Sequence, residues 1–347
     1  MSESYLDTGY EAWKPNFFIS ADNTDITEKI RQGLINITLT DYGGSNKQSD
    51  EIRVAIVSET LKIPARGVKI SIGLGFGTKI IDKGIYVVDS ASSGGEPRVV
   101  DFTAKAAPMN SAKGAATVQS KKTRSWIDKT VGDIVSTIAT ENGLVPRVST
   151  RFANKVITQI DQVGESDMNL LSRLATRFDA VSKPAGGYWV FLPRGKGESV
   201  SGAALQQYTL KRNGNSSWGF SRSGQSGDSS GGESSEPTYL VKYHDTASGE
   251  IKELRTGSGG DPVVEWPATE PSLEAAREAT SGLRGGAQKK EFSMNHTIPA
   301  SLELVALTAE CNVITEGFGS EEDRAWTINS LTLSLGEGGF SVQLNLE

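Results

Sequence analysis

Cysteine and histidine are nearly missing from this 347-residue chain, which has one Cys and two His. A single thiol, Cys311, closes no intrachain disulfide and excludes a Cys-based zinc site. It fits a reducing compartment, where disulfides are rare. Nucleophilic catalysis needs a base beside the nucleophile, and only His244 and His296 offer imidazole. His244 falls at a strand end before a turn and His296 in a strand before Ile298-Pro299, places that suit ordinary strand histidines. Cys311 lies in no protease-like signature and reads as a small buried hydrophobe. No run approaches 18 apolar residues, so no membrane anchor is expected. Residues 1–15 are acidic and polar, with no basic start or apolar run, so the expectation is no secretory signal and folding in the cytoplasm. Basic charge is in deficit too: 36 Lys and Arg against 42 Asp and Glu, a net −6. Broad nucleic-acid binding wants a basic face and is disfavoured.

Glycine is plentiful, at 38 residues, and accompanies many short apolar runs, which points to turns and β structure. The length suits two or three domains. Residues 34–40 place Ile35, Ile37 and Leu39 on one face with period two, and Asp41-Tyr42-Gly43-Gly44 then breaks the strand. Further strands are expected at 52–57, 68–74, 85–89 and 99–104. Near residue 124 the period changes. Thr130-Val131-Gly132-Asp133 resembles a capping box and opens a helix through Ala139, with Asn142-Gly143 as its stop. A second helix begins at Ser166 and carries Leu171, Leu174, Ala175 and Phe178 as one stripe. Strands are expected at 156–161 and 187–192.

Beyond residue 204 the pattern returns to β. Strands are read at 205–210, 239–244, 251–255, 291–297, 302–308, 325–335 and 340–346, with a helix at 272–283 ended by Gly285-Gly286. The stretch 213–237 is almost all Gly, Ser and Asn and is expected to be a flexible loop. The strand spacing of 1–107 suits a small antiparallel barrel or sandwich, and two β units around a helical insert are compatible with a duplicated barrel; the expected fold class is α+β, mainly β, with two small antiparallel β-barrel domains, 1–107 and 204–347, flanking a mixed α/β helical insert, 108–203.

No motif demands chemistry. Glu165 and Asp167 start a helix and suit capping better than a glycosidase pair. Gly73-Leu74-Gly75-Phe76-Gly77 has no helix behind it, so it reads as a β turn or bulge. Lys121-Lys122-Thr123-Arg124 reads as a solvated basic linker, and Glu321-Glu322-Asp323 as a solvated acidic loop. No HExxH, cysteine pair or EF-hand loop occurs. Catalytic, cofactor-binding and metal residues are assigned as none, no cofactor is expected, and weight shifts to an assembly role.

Ordered stretches carry a resemblance. Residues 13–19, 25–27 and 37–41, then Ser125-Trp126, the Thr130–Val135 stretch, Asn142-Gly143-Leu144, and above all Glu165-Ser166-Asp167 with Leu170-Leu171-Ser172-Arg173-Leu174-Ala175, resemble the late control D family of contractile phage tails. The chain is also similar to the hub part of type VI secretion spike proteins. The resemblance implies a non-enzymatic baseplate hub, a homotrimeric ring joining the tail tube to the central spike. Implied partners are the tail spike protein, tube or tube-initiator proteins and other baseplate proteins, with genomic DNA passing the lumen without specific binding. It implies a place in the virion baseplate, after assembly in the bacterial cytoplasm. Two alternatives stand beside it. A cell-wall-degrading tail protein needs a carboxylate or metal constellation. A carbohydrate-binding one needs exposed aromatics on one surface, whereas Trp126, Trp189 and Trp266 are scattered and read as core anchors.

Overall fold

The computed structural model describes residues 13–44, 48–107, 118–199, 202–205, 207–222, 237–257, 259–288 and 292–347. Most strands join one large sheet. Its order is Ser217–Arg222, Phe292–Pro299, Gly339–Leu346, Ala325–Gly336, Leu34–Tyr42, Glu51–Val57, Val99–Lys105, Lys79–Gly94, Lys69–Phe76, Pro15–Ala21 and Thr24–Asp25. A branch adds Asn312–Glu316 to Ala325–Gly336, with Tyr208–Lys211 parallel beside it. Strands from the first β part of the chain and from the last thus lie in one sheet rather than in two separate barrels. The ladder Leu34–Tyr42/Ala325–Gly336, with Leu39 opposite Leu333, joins the two parts. Among the described residues no closed barrel forms, because the pairing path is open at both ends.

Period-two patterning explains the join. Ile37 and Leu39, Ile52 and Val54, Phe102 and Ala104, Leu331 and Leu333, Val342 and Leu344 are all buried on one face. Each such side chain contributes about 1.5–3 kcal/mol by leaving water. The sheet rolls over this face: Phe76 and Phe340, on strands distant in the order, have ring centroids 5.4 Å apart. Both β units therefore bury their apolar faces in one core. The Pro15–Ala21 edge is blunted. Phe17 N donates to Asn16 Oδ1 at 2.9 Å and Ile19 N to Thr27 Oγ1 at 3.0 Å, which occupies donors that another strand would use.

The insert has its own core, centred on Ile134, Ile138, Leu170, Leu174, Trp189 and Phe191. Lys121–Thr130 pairs antiparallel with Val156–Ser166, and Val145–Val148, Tyr188–Pro193 and Ala180–Ala185 form a small sheet. The capping box is formed: Asp133 N donates to Thr130 Oγ1 and Thr130 N to Asp133 Oδ2. It opens helix Val131–Glu141, and Gly143, at φ +69°, follows its end. Ser166 caps helix Asp167–Arg177 by accepting from Asn169 N.

A third, smaller core of Val241, Trp266, Ala276 and Ala279 lies between helix Leu273–Gln288 and the strands Pro237–Asp245, Glu250–Thr256 and Gly260–Glu270. The hairpin across Asp245–Glu250 is present as expected.

Three expectations are corrected. Helix Leu273–Gln288 runs through Gly285-Gly286. The reason at Gly282 is close packing: a Cβ there would sit 2.2 Å from Thr176 O. Residues 302–308 are not a strand, because Leu302–Ala306 is helical and Ser301 accepts from Leu304 N as its cap. Part of the expected 213–237 loop is strand Ser217–Arg222, held by Trp218 edge-on to Phe318 at 5.2 Å and Phe220 stacked on Phe292 at 6.1 Å. Residues 213–216 lead into that strand as a turn, and 223–236 lie outside the described residues.

Candidate functional site

The large sheet turns its unburied face outward, and that face is made of short polar side chains. In register across neighbouring strands run Thr297, Gln343, Thr332, Thr40 and Glu51. A second row runs Ser341, Ser334, Thr38, Arg53 and Thr103. Charges are few, and Glu51 and Arg53 pair at 2.8 Å. Asn345 Nδ2 donates to Ser330 Oγ at 2.8 Å. A surface strand ordinarily carries Lys and Glu. Most of this field is uncharged hydroxyls and amides; its cations, Arg53 and the Lys105 opposite Glu51, lie toward one side beside that carboxylate.

The insert meets this sheet along a buried polar seam. Lys183, in the Ala180–Ala185 strand, donates from Nζ to Asp41 Oδ1 and Tyr42 O at 2.5 Å each, and to Asp50 Oδ1 and Oδ2 at 2.9 and 3.1 Å. Asp41 Oδ2 accepts from Ala309 N at 2.9 Å. Glu310 spans the seam, accepting from Gly44 N at 2.9 Å and Gly195 N at 2.8 Å. Burial disfavours the Lys183 charge, yet Asp41 and Asp50 outweigh it and hold its pKa above the ordinary lysine value. Burial pushes the Asp50 carboxyl up to about 7; Lys183 opposes this and Asp41 adds to it.

Inside the insert, Asp167 is wholly buried and accepts from Lys122 Nζ at 2.6 Å, Arg124 Nη2 at 2.9 Å, and Gln162 Nε2 and Asn142 Nδ2 at 3.0 Å each. Burial opposes its charge, but these donors prevail and lower its pKa. The basic stretch read as a solvated linker is thus a strand whose alternate residues, Lys122 and Arg124, both clamp Asp167 and also pair with Glu141 at 2.8 Å each. Period two at 122 and 124 was the available signal; the partner at 167 was not. Glu165 is not paired with Asp167 as an acid dyad, since it faces Arg173 Nη2 at 2.9 Å.

The remaining candidates are not brought together. His244 is exposed at its strand end, while His296 is fully buried, edge-on to Phe318 at 5.4 Å, with neither nitrogen hydrogen-bonded. Burial lowers the His296 pKa. Cys311 is buried, 3.4 Å from Thr308 Oγ1. Asp323 closes its own loop by accepting from Gly317 N and Phe318 N. Gly77, at φ +53°, turns the chain from Lys69–Phe76 into Lys79–Gly94. Trp126, Trp189 and Trp266 are all buried. Among the described residues no group of three or more His, Cys, Asp or Glu could hold a metal, and no helix is long and apolar enough to cross a membrane.

Known proteins share this architecture. A 43 kDa tail protein from prophage MuSo2 of Shewanella oneidensis superposes with a TM-score of 0.67 over 96% of this chain and 98% of that one, at 12% identity. An Escherichia coli component of the type VI secretion system superposes with a TM-score of 0.55 over 94% of this chain and 76% of that one, at 10% identity. At such identities the likeness is one of fold. A probable baseplate hub protein of Escherichia phage 186 is 32% identical over 200 residues, 57% of this chain and 50% of that protein. The chain thus spans about half the length of the curated relative it matches. The family described as phage tail baseplate hub (GPD) matches over residues 111–334. That match takes in the Asp167 clamp, Lys183 and all but the last two residues of the Ala325–Gly336 strand that joins the two β units, and the chain belongs to the phage tail baseplate hub family.

Proposed function

We propose that the chain is a structural hub of a contractile phage or phage-like tail, and that it works as a homotrimeric ring between the tail tube and the central spike. Each copy supplies two barrel-like lobes, 1–107 and 204–347, as the two parts of its shared sheet, flanking the 108–203 insert. Three copies then present six lobes, a number that fits a sixfold tube above and a threefold spike below. A heterologous contact repeated three times closes such a ring. Its neighbours are the tube or tube-initiator proteins, the spike and other baseplate proteins, and its place is the virion baseplate.

The observation that carries this reading is the outward polar field of Thr38, Thr40, Thr332, Ser334 and Gln343 on a fold shared along its length with a tail protein. Turned toward the axis, such a face lets DNA pass without gripping it, and the net charge of −6 adds weak repulsion. No bond is made or broken in this role. Light scattering on the purified protein, with and without the spike, tests it together with low-resolution imaging. A trimer and a hollow three-lobed disc are expected. A persistent monomer under both conditions overturns the ring.

A further inference from the structure

Solvent-facing apolar side chains meet on three neighbouring strands, Pro15–Ala21, Lys69–Phe76 and Lys79–Gly94. Phe18 and Ile85, 40% and 41% exposed, line a groove with Ile80, Asp82, Ser71 and Gly73. The register explains its shape. Phe18 stands opposite Gly73 and Gly73 opposite Asp82, while Ser71 stands opposite Ile85. The middle strand thus supplies a floor of glycine and serine between a phenylalanine wall and an isoleucine wall. Glycine is needed at 73, because a Cβ there would come 2.5 Å from Ile80 Cγ2. Strand addition is hindered at the adjoining edge, where Phe17 N and Ile19 N already have acceptors. What remains on offer is a recess for a side chain.

The insert carries a projection of the fitting kind. The ladder between Lys121–Thr130 and Val156–Ser166 slips between Gln162 and Glu165, and Val163 lies in that bulge beside Gly164, at φ +57°. Bulges re-aim side chains. Val163 is 74% exposed, more than any other large aliphatic among the described residues. Charge fits as well. Asp82, at the groove, is exposed, and its Oδ1 accepts from Gly84 N at 2.9 Å. Lys121, at the ribbon end by the bulge, is exposed too. The acids beside the bulge are engaged within the insert: Glu165 by Arg173 at 2.9 Å, and Asp161 Oδ2 by Gln159 Nε2 at 3.2 Å.

We propose that, within the ring, the Val163 bulge of one copy seats in the Phe18–Ile80–Ile85 groove of the next, with Lys121 of the first copy facing Asp82 of the second. The proposal rests on the ring reading and supplies its contact. A ring closes through a heterologous contact, in which two unlike patches of the same chain meet. A knob beside an ammonium and a recess beside a carboxylate are such a pair. The apolar centre leaves water, and the charge pair at the rim fixes register and encounter rate more than affinity.

Light scattering on the full chain reads the contact. Val163→Asp and Ile85→Glu, both at exposed positions, are each expected to weaken trimer formation by about tenfold or more, with circular dichroism and melting temperature unchanged. Mixing Val163→Cys with Ile85→Cys under mild oxidation is expected to give a disulfide-linked pair that neither variant gives alone, since the native Cys311 is buried. A trimer unmoved by both charged substitutions, or a mixture without the linked pair, overturns this contact and leaves the ring standing. An unaltered chain that stays monomeric with and without the spike overturns the ring and the contact together. Should a charged variant lose its fold, the cysteine mixture decides.

Discussion

Lys183 Nζ stands 2.5 Å from Asp41 Oδ1, although 142 residues separate the two along the chain. The contact ties the insert to the sheet. Replacing Lys183 with Met removes the one ammonium hydrogen-bonded to both Asp41 and Asp50. A loss of about 3–5 kcal/mol in unfolding free energy is expected, as for other buried pairs broken on one side. Chemical denaturation measures it, and a loss under about 1 kcal/mol would show that the seam contributes little.

His296 gives the folded state a pH dependence. Its folded pKa is lowered by burial, so the folded state binds fewer protons than the unfolded chain below about pH 6.5. Its contribution is complete above that pH and falls as acid is added. Melting temperatures between pH 5 and 8 should decline on the acid side, and His296→Leu should flatten that decline. Because neither nitrogen has a partner, the substitution should cost little at pH 8.

Gly282 sets the approach of helix Leu273–Gln288 to the end of Asp167–Arg177. Gly282→Ala places a methyl 2.2 Å from Thr176 O. Overpacking of this kind costs about 1–3 kcal/mol. Exchange protection should fall first at Leu273–Gln288 and leave the Leu34–Tyr42 ladder unchanged. Uniform loss across both would refute a local role.

The polar sheet face can be tested by adding charge. A Thr38→Lys, Thr40→Lys, Ser334→Lys variant is expected to retain duplex DNA at low salt and release it steeply as salt rises, the mark of phosphate contacts. The unaltered chain is expected to show no such retention. Equal retention by both would remove the reason given for the hydroxyl-rich face.

Local features were the legible ones. Phe340, Val342, Leu344 and Leu346 alternate with polar residues, and that strand lies where the pattern puts it. Thr130 and Asp133 are three residues apart, and their box forms. Features that depend on distant partners were opaque. Lys183 sits among Ser182 and Pro184 and gives no local hint of Asp41 or Asp50. Gly285-Gly286 reads as a helix stop until Asp179 is brought against Gly285, just as Thr176 is brought against Gly282. Apolar residues at 302, 304, 305 and 307 fit strand or helix, and Ser301 decides for helix through its cap. The sharing of one sheet by the first and last parts of the chain was hidden for the same reason.

That sharing also has a kinetic side. Thr40 and Thr332 face each other across 292 residues. At ribosomal speeds of about 5–20 residues per second, the earlier strand waits roughly 15–60 s for its mate. Glu51–Val57 is made soon after and can cover only its other side, with Val99–Lys105 pairing beyond Glu51–Val57. Synthesis therefore passes through a long interval with one hydrogen-bonding edge uncovered, while the insert, with a core drawn from contiguous chain, can already be complete. Limited proteolysis of stalled nascent chains would see a resistant insert and a cleavable first sheet; equal resistance in both would mean the edge is covered in some other way.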